Sequence, residues 1–187
     1  MGMPHTDTRW TADLVHALPD DGNRYELVSG ELVVTPAPAP LHQLIQMALI
    51  RRLDPYLRQA GVGSLLASPA DLAFGEDEVL QPDLFVTALI ATKLPRTWRD
   101  VTSLLLAVEI LSPSTARYDR ILKRRRYQRA GVPEYWIVDP DARVIERWRP
   151  QDERPEVASE LLEWRPAADT PALALNLPEL FAEAWGE

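Results

Sequence analysis

The chain has no cysteine among its 187 residues. A disulfide scaffold and a metal site built from thiolates are therefore excluded, and the composition suits a reducing compartment. No apolar run approaches the roughly 20 residues that span a membrane. Residues 1–10 carry neither a basic segment followed by an apolar stretch nor a cleavage site. We therefore expect a cytoplasmic protein without membrane contact.

Basic residues are outnumbered by acidic ones, 20 to 28, and the formal net charge is -8. This balance argues against a general nucleic-acid binder, whose affinity comes largely from neutralising phosphates. Between residues 117 and 129, however, seven lysines and arginines stand against the single acid Asp119, which predicts a local basic surface. The length and the 46% hydrophobic content suit one domain, residues 1–187, with a substantial core.

Hydrophobic periodicity and turn residues predict a mixed α/β domain. The predicted strands are residues 25–28, 31–35, 64–68, 70–74, 79–86, 103–111, 134–138, 143–148, 160–164 and 173–175. The predicted helices are residues 41–59, 114–130 and a terminal helix from Pro178, with an irregular or short helical connection at residues 88–100. Pro55 should kink the first helix or end it early. Strands before and after two helices indicate a mixed central β-sheet flanked by helices.

Two acidic residues that end apolar runs are the most informative feature. Asp83 lies in Gln-Pro-Asp-Leu-Phe-Val, and Glu109 closes Leu-Leu-Leu-Ala-Val-Glu. A carboxylate in such a run needs a partner, and two carboxylates close together repel by about 4 kcal/mol at an effective dielectric of about 20 unless a proton or cation separates them. Magnesium typically binds through one or two carboxylates. We therefore predict a Mg²⁺ site, which Mn²⁺ could also fill.

A lysine close to such a metal can stabilise negative charge growing on a phosphate oxygen or position the attacking water. Lys123 is the candidate. Asp119, Lys123 and Tyr127 are spaced i, i+4 and i+8, so on a helix they project along one stripe. Lys123 therefore need not belong to the solvated arginine surface of the same helix.

Each of these three residues also has a structural interpretation. Asp83 could cap a turn after Pro82, and Glu109 could be a buried acid paired with an arginine. Lys123 taken alone could be a solvated helix lysine. The three residues together favour the functional interpretation.

Further candidates border this pattern. His42 could cap a helix, be a core histidine or lie beside the metal site. Glu31 and Gln81 are candidates for groups behind the metal ligands or for extra ligands, with hairpin or surface roles as alternatives. The arginine run is ordinarily a solvated helix face, but three of its residues could contact phosphates on either side of a cut. These three are Arg117, Arg120 and Arg124.

Several segments of the chain resemble one family when they are taken together. They are Pro82-Asp83, Val-Glu-Ile-Leu-Ser-Pro-Ser-Thr at residues 108–115, Lys123, Gly-Val-Pro-Glu-Tyr-Trp-Ile-Val-Asp at residues 131–139, Tyr-Glu-Leu-Val-Ser-Gly-Glu-Leu at residues 25–32, and His42 after a proline-rich turn. The combination resembles the Uma-type restriction endonucleases of the PD-(D/E)XK nuclease superfamily. The resemblance is strongest over residues 25–148, with residues 1–20 as an extension.

This resemblance implies a restriction-endonuclease-like fold and magnesium-dependent hydrolysis of DNA phosphodiesters. It implies Asp83 and Glu109 as metal ligands, the backbone carbonyl of Ile110 as a third oxygen, and a homodimer that acts on DNA. The superfamily usually places its lysine two residues after the second acid, where this chain has Leu111, so the role passes to Lys123. The alternatives are a non-catalytic nucleic-acid-binding or regulatory module, and a structural protein whose acids pair with arginines.

Overall fold

The computed structural model describes residues 10–19, 21, 23–28, 30–35, 37–75, 78–89, 96–97, 101, 103–113 and 115–187. The helices are α1 Ala12–His16, α2 Pro40–Ala60, α3 with a π-helical part Tyr118–Lys123 and an α-helical part Arg124–Arg129, and α4 Leu177–Trp185. The strands are β1 Arg24–Val28, β2 Glu31–Thr35, β3 Gly63–Ala67, β4 Leu72–Gly75, β5 Glu78–Leu80, β6 Leu84–Ala88, β7 Leu104–Ile110, β8 Glu134–Asp139, β9 Val144–Trp148, β10 Glu156–Ala158, β11 Leu161–Trp164 and β12 Leu173–Asn176. Most of the predicted connection at 88–100, and residues 1–9 and 20 of the predicted extension, lie outside the described set.

A six-stranded mixed sheet forms the centre of the fold. Its strand order is β10-β9-β8-β7-β6-β3, and β7 and β8 run parallel while the other neighbours are antiparallel. A four-stranded antiparallel sheet has the order β2-β1-β5-β4, and β11 pairs with β12. The predicted mixed central sheet flanked by helices is confirmed.

The central strand β7 is covered on both faces. Val108 and Ile110 pack into the core cluster that contains the buried face of α2. Ala107 points to the other face, where it packs with Phe85 and Tyr127. A strand that is buried on both faces has a continuous run of apolar residues. Glu109, near the end of this strand, therefore lies in apolar surroundings.

Helix α2 continues through Pro55, contrary to the expectation of a break there. Leu53 and Leu57 are both buried, so the apolar face on either side of the proline remains packed against the core and offsets the lost backbone hydrogen bond. No helix in the described part of the chain combines the length and the apolar character needed to cross a membrane.

The single strand predicted at residues 79–86 is two strands, β5 and β6, which belong to different sheets. The break falls at residues 81–83, where Pro82 has no N–H to donate to a sheet. Asp83 therefore lies immediately before β6 and not within a strand. This junction joins the two sheets and brings residues of β1 close to the end of β7.

Candidate active site

Asp83 and Glu109 converge at the same end of neighbouring strands. Leu84 pairs with Val108 in the antiparallel register of β6 and β7, so the next residues in this direction, Asp83 and Glu109, lie opposite each other. Side chains alternate along strands, and both carboxylates point to the face on which Phe85 packs. Each residue is only 1% exposed. The predicted convergence of the two acids is therefore present.

Three donors surround the Asp83 carboxylate. Arg24 Nη1 donates to Oδ1 at 2.7 Å, and the Ile110 backbone N–H donates to Oδ2 at 2.8 Å. His42 Nε2 lies 2.9 Å from Oδ2 and carries the shared proton, because an ionised carboxylate only accepts. Burial alone raises the pKa of Asp83, but His42 and Arg24 outweigh it and hold the pKa at about 2, below the ordinary 3.8.

This environment predicts a pH-dependent contribution of Asp83 to stability. A lowered carboxyl pKa stabilises the folded protein above pH 3.8, and the contribution disappears as the pH falls through about 2. Asp83→Asn is expected to lower the free energy of unfolding by about 2 kcal/mol at pH 7 and by progressively less below pH 4. Urea denaturation of both proteins in EDTA across this range measures the difference. A difference that does not change with pH contradicts the assignment.

Lys123 is buried at the centre of three carboxylates. Its Nζ donates to Glu109 Oε1 at 3.0 Å and lies 2.9 Å from Glu26 Oε2 and 3.3 Å from Asp119 Oδ1. The Tyr127 hydroxyl donates to the same Glu109 oxygen at 3.3 Å. The stripe of Asp119, Lys123 and Tyr127 predicted from their spacing therefore faces Glu109.

The first part of α3 shapes this stripe. Its π-helical geometry joins the Arg124 N–H to the Asp119 carbonyl, five residues earlier. The Tyr135 hydroxyl donates to the same carbonyl at 3.0 Å. Single π turns inside helices are frequent at functional sites because they alter the direction of side chains. Here the turn carries both Asp119 and Lys123 into the acid cluster.

The cluster has more acids than cations. Four carboxylates, from Glu26, Asp83, Glu109 and Asp119, surround two permanent cations, Arg24 and Lys123, so the formal excess is two negative charges. Burial and the neighbouring acids raise the pKa of Glu109 well above 4.5, although Lys123 acts in the opposite direction. Burial likewise raises the pKa of Asp119. The site therefore has unused capacity for positive charge.

Two buried carboxylate oxygens have no hydrogen bond within the described residues, Glu26 Oε2 and Asp119 Oδ1. Lys123 lies close to both, but outside hydrogen-bond geometry. No three acid or histidine side chains of the described chain are already arranged around a point that could hold a metal. The donor set beside the cleft is nevertheless of the hard kind that magnesium prefers: the Asp83 carboxylate and the Ile110 backbone line the cleft, and the Glu109 carboxylate lies behind them.

Sequence reasoning missed Glu26 and Arg24, which are adjacent to the predicted acids. Glu26 is fully buried on β1, where Oε1 accepts the Gln81 backbone N–H at 2.8 Å. The criterion that identified Glu109, an acid among apolar strand residues, also applies to Glu26 in Tyr-Glu-Leu-Val. Arg24 had no such signal, because an arginine at a strand start is ordinary.

The predictions for the neighbouring polar residues have different outcomes. His42 contacts Asp83, as one of its interpretations required. Gln81 reaches the cluster through its backbone, while its side chain donates to Asp71 at 2.7 Å. Glu31 is exposed at the turn end of the hairpin, where it pairs with Val28, in agreement with the hairpin role that was its alternative.

The three predicted phosphate-contacting arginines do not form one surface. Arg120 bridges Asp139 and Glu146 at 2.7 and 2.8 Å. Arg124 lies 4.4 Å over the ring of Trp148. These contacts direct both guanidinium groups to the β8–β9 hairpin, so a contact with phosphates would require them to leave these partners, and the assignment stays a prediction. Arg117 is exposed, so its assignment stays a prediction.

A cleft of about 800 Å³ opens onto this cluster. Arg24, His42, Asp83 and Ile110 line it, together with neighbouring loop residues that include Ala37, Pro38, Pro69, Ser112 and Pro113. Glu109 and Lys123 lie behind these residues, each 1% exposed. Lys123 therefore acts on the cleft through Glu109 and has no direct access to it.

Comparisons with known proteins agree with this architecture. The crystal structure of a "putative nuclease belonging to DUF820 from Anabaena variabilis ATCC 29413" matches with a TM-score of 0.77 and 22% sequence identity, over 94% of this chain and 99% of that chain. At this identity the match shows a common fold. Among curated proteins, no sequence matches this chain significantly. The model of the Uma2 family, described as "Putative restriction endonuclease", matches residues 12–181. Because this match spans most of the chain, the protein belongs to the Uma2 family.

Proposed function

We propose that this protein is a metal-dependent endonuclease that hydrolyses DNA phosphodiester bonds. The observation that carries the proposal is the pairing of Asp83 and Glu109 on one face at the ends of β6 and β7, where Asp83 lines a cleft and Glu109 lies behind it. The descriptions of the Uma2 family and of the Anabaena protein as nucleases support it. Homology and geometry thus favour the same chemistry.

Asp83, Glu109 and the Ile110 carbonyl would hold Mg²⁺ or Mn²⁺. The Ile110 N–H already points at Asp83, and the carbonyl of a strand residue points to the same side as its N–H. When bound, the cation would lower the pKa of water and offset negative charge on a phosphate. An excess of buried carboxylates over cations is the electrostatic condition for such binding.

The surrounding residues would orient these ligands. Lys123 and Tyr127 both contact Glu109 Oε1, which leaves Oε2 directed towards Arg24. His42 holds Asp83 Oδ2 from the side of α2. We assign Lys123 to positioning and charge balance, because three carboxylates enclose its ammonium group and separate it from a substrate in the cleft.

A plasmid cleavage assay tests the proposal. Purified protein with Mg²⁺ or Mn²⁺ is expected to nick or linearise plasmid DNA, and Asp83→Ala and Glu109→Ala are each expected to lower the rate by about 100-fold or more, since each removes a metal ligand. Circular dichroism of the variants verifies their folding. EDTA is expected to stop the wild-type reaction.

Asp54→Asn is the matched control, since Asp54 pairs with Arg58 on the surface of α2, outside the cleft. Cleavage that persists in both alanine variants would indicate a contaminating nuclease and overturn the proposal. Light scattering of the same preparation tests the predicted homodimer, because two copies could each cut one strand of a duplex. Location in the cytoplasm also stays a prediction.

A nucleic-acid-binding module without catalysis is the second candidate. The observation in its favour is the occupation of the space between the acids by Arg24, which bonds Asp83 at 2.7 Å. Gel-shift titration with labelled DNA distinguishes the candidates. Retarded but intact DNA in both metals favours the module, whereas cleavage that requires both acids favours the endonuclease.

A further inference from the structure

We propose that Arg24 is an exchangeable cation, which bridges the metal-binding carboxylates in the metal-free protein and turns to the phosphodiester of bound DNA once a metal enters. This inference rests on the proposed function, and it assigns a role to a residue that the sequence analysis did not identify. The two cations of the cluster, Arg24 and Lys123, differ in exposure and in access to the cleft.

Arg24 occupies the space that a shared metal ion would need. Nη1 lies 2.7 Å from Asp83 Oδ1, and Nη2 lies 3.9 Å from Glu109 Oε2 and 3.8 Å from Glu26 Oε2. One guanidinium group thus reaches both proposed metal ligands. A divalent ion between Asp83 and Glu109 would face this positive charge at close range, so both cannot remain there without strong repulsion.

The contacts of Arg24 are incomplete. Of its five N–H donors, one makes a hydrogen bond with a described side chain, the bond to Asp83. The two Nη2 distances are too long for hydrogen bonds, and the buried Nε has no partner among the described residues. Arg24 is therefore held in place more by attraction between opposite charges than by hydrogen bonds. A divalent ion with oxygen ligands would supply the same carboxylates with the positive charge that Arg24 provides.

Lys123 provides the contrast within the same cluster. Its ammonium group is 1% exposed and touches three carboxylates, so it has no route out. The Arg24 side chain is 21% exposed and lines the cleft. Displacement would move the guanidinium into the cleft, where a substrate phosphodiester must lie. Its planar fork of donors matches phosphate oxygens, which strengthens the assignment.

Metal titration of Arg24→Gln tests the exchange without reference to activity. If the metal-competent state, with Arg24 displaced, is about 10% populated in the wild type, Mn²⁺ alone should bind Arg24→Gln about 10-fold more tightly by calorimetry. Arg52→Gln is the matched control: Arg52 is 23% exposed and also makes a 2.7 Å bond to one carboxylate, Glu183, outside the cleft. The affinity of Arg52→Gln for Mn²⁺ should equal that of the wild type.

Chemical modification of the wild-type protein tests the displacement directly and does not depend on a variant that folds. Mn²⁺ is expected to accelerate the reaction of Arg24 with phenylglyoxal, measured by peptide mass spectrometry, and to leave that of Arg52 unchanged. With DNA added, Arg24→Gln is expected to bind metal but cleave plasmid more slowly than the wild type.

The outcomes separate this inference from the proposed function. Equal Mn²⁺ affinity in the wild type and Arg24→Gln, or unchanged modification of Arg24 on metal addition, overturns the exchange and leaves the endonuclease proposal intact. Absence of Mn²⁺ binding in all three proteins overturns the metal site and therefore both proposals. Faster cleavage by Arg24→Gln than by the wild type overturns the phosphate contact.

Discussion

Lys123→Met is expected to abolish plasmid cleavage and to lower the free energy of unfolding by about 3 kcal/mol at pH 8, since removal of one partner from a buried ion pair leaves an uncompensated charge. Glu26, Glu109 and Asp119 would lose their shared cation. The methionine side chain fills a similar volume, so the loss reports charge more than packing. Cleavage would fall because Glu109 loses both its orientation and its charge balance.

The pH dependence of this loss identifies its cause. Without Lys123 the three acids become harder to ionise, so their pKa values in the folded variant rise above those in the folded wild type. The folded variant therefore binds more protons than the folded wild type and gains more stability as the pH falls. The difference from the wild type is therefore expected to shrink between pH 8 and pH 5, measured by urea denaturation in EDTA. Arg125→Met, at an exposed position on the same helix, is the control. A deficit that is constant with pH would show that Lys123 contributes packing alone.

The sequence predicted the central features of this site because each has a local signal. Glu109 is recognisable because a carboxylate after five apolar residues needs a partner. Lys123 is distinguished from the neighbouring arginines because its helical spacing places it on the same stripe as Asp119 and Tyr127. The register that places Asp83 opposite Glu109 follows once β6 and β7 are known to pair. Burial cost and periodicity therefore lead to three residues that the structure brings together.

The parts that sequence did not predict depend on contacts between the two sheets. Arg24 enters the site because the 81–83 junction brings β1 beside β6, and no local pattern encodes that approach. Arg120 and Arg124 turn away because the β8–β9 hairpin offers Asp139, Glu146 and Trp148 as partners. Partners that are distant in the sequence decide which of several neighbouring arginines faces which surface. The charge pattern of the sequence does not identify these partners.

The cluster is also a place where stability and function conflict. Buried acids with raised pKa values, such as Glu109 and Asp119, destabilise the folded state when they are ionised. A purely structural cluster would gain from replacing such an acid with a neutral residue of the same shape. The proposed metal ion would offset this cost when it binds.

Glu109→Gln tests this conflict, and its two expected effects have opposite signs. Cleavage is expected to fall by about 100-fold or more because a proposed metal ligand is lost. Stability in EDTA is expected to rise relative to the wild type as the pH increases from 5 to 8. The reason is that the raised pKa of Glu109 makes the folded wild type bind a proton that the unfolded chain releases above pH 4.5, so wild-type stability declines with pH more steeply than that of the variant.

Urea denaturation at pH 5, 6.5 and 8 measures this difference, with Glu183→Gln as the control. Glu183 is paired with Arg51 and Arg52, which lower its pKa below 4.5, so its contribution is constant over this pH range. The amide of Glu109→Gln still offers an oxygen to Lys123 and Tyr127, so packing is preserved. If Glu109 served only to neutralise buried cations, the substitution would destabilise the protein at every pH. An inactive variant whose stability rises relative to the wild type with increasing pH would support the role of Glu109 as a metal ligand.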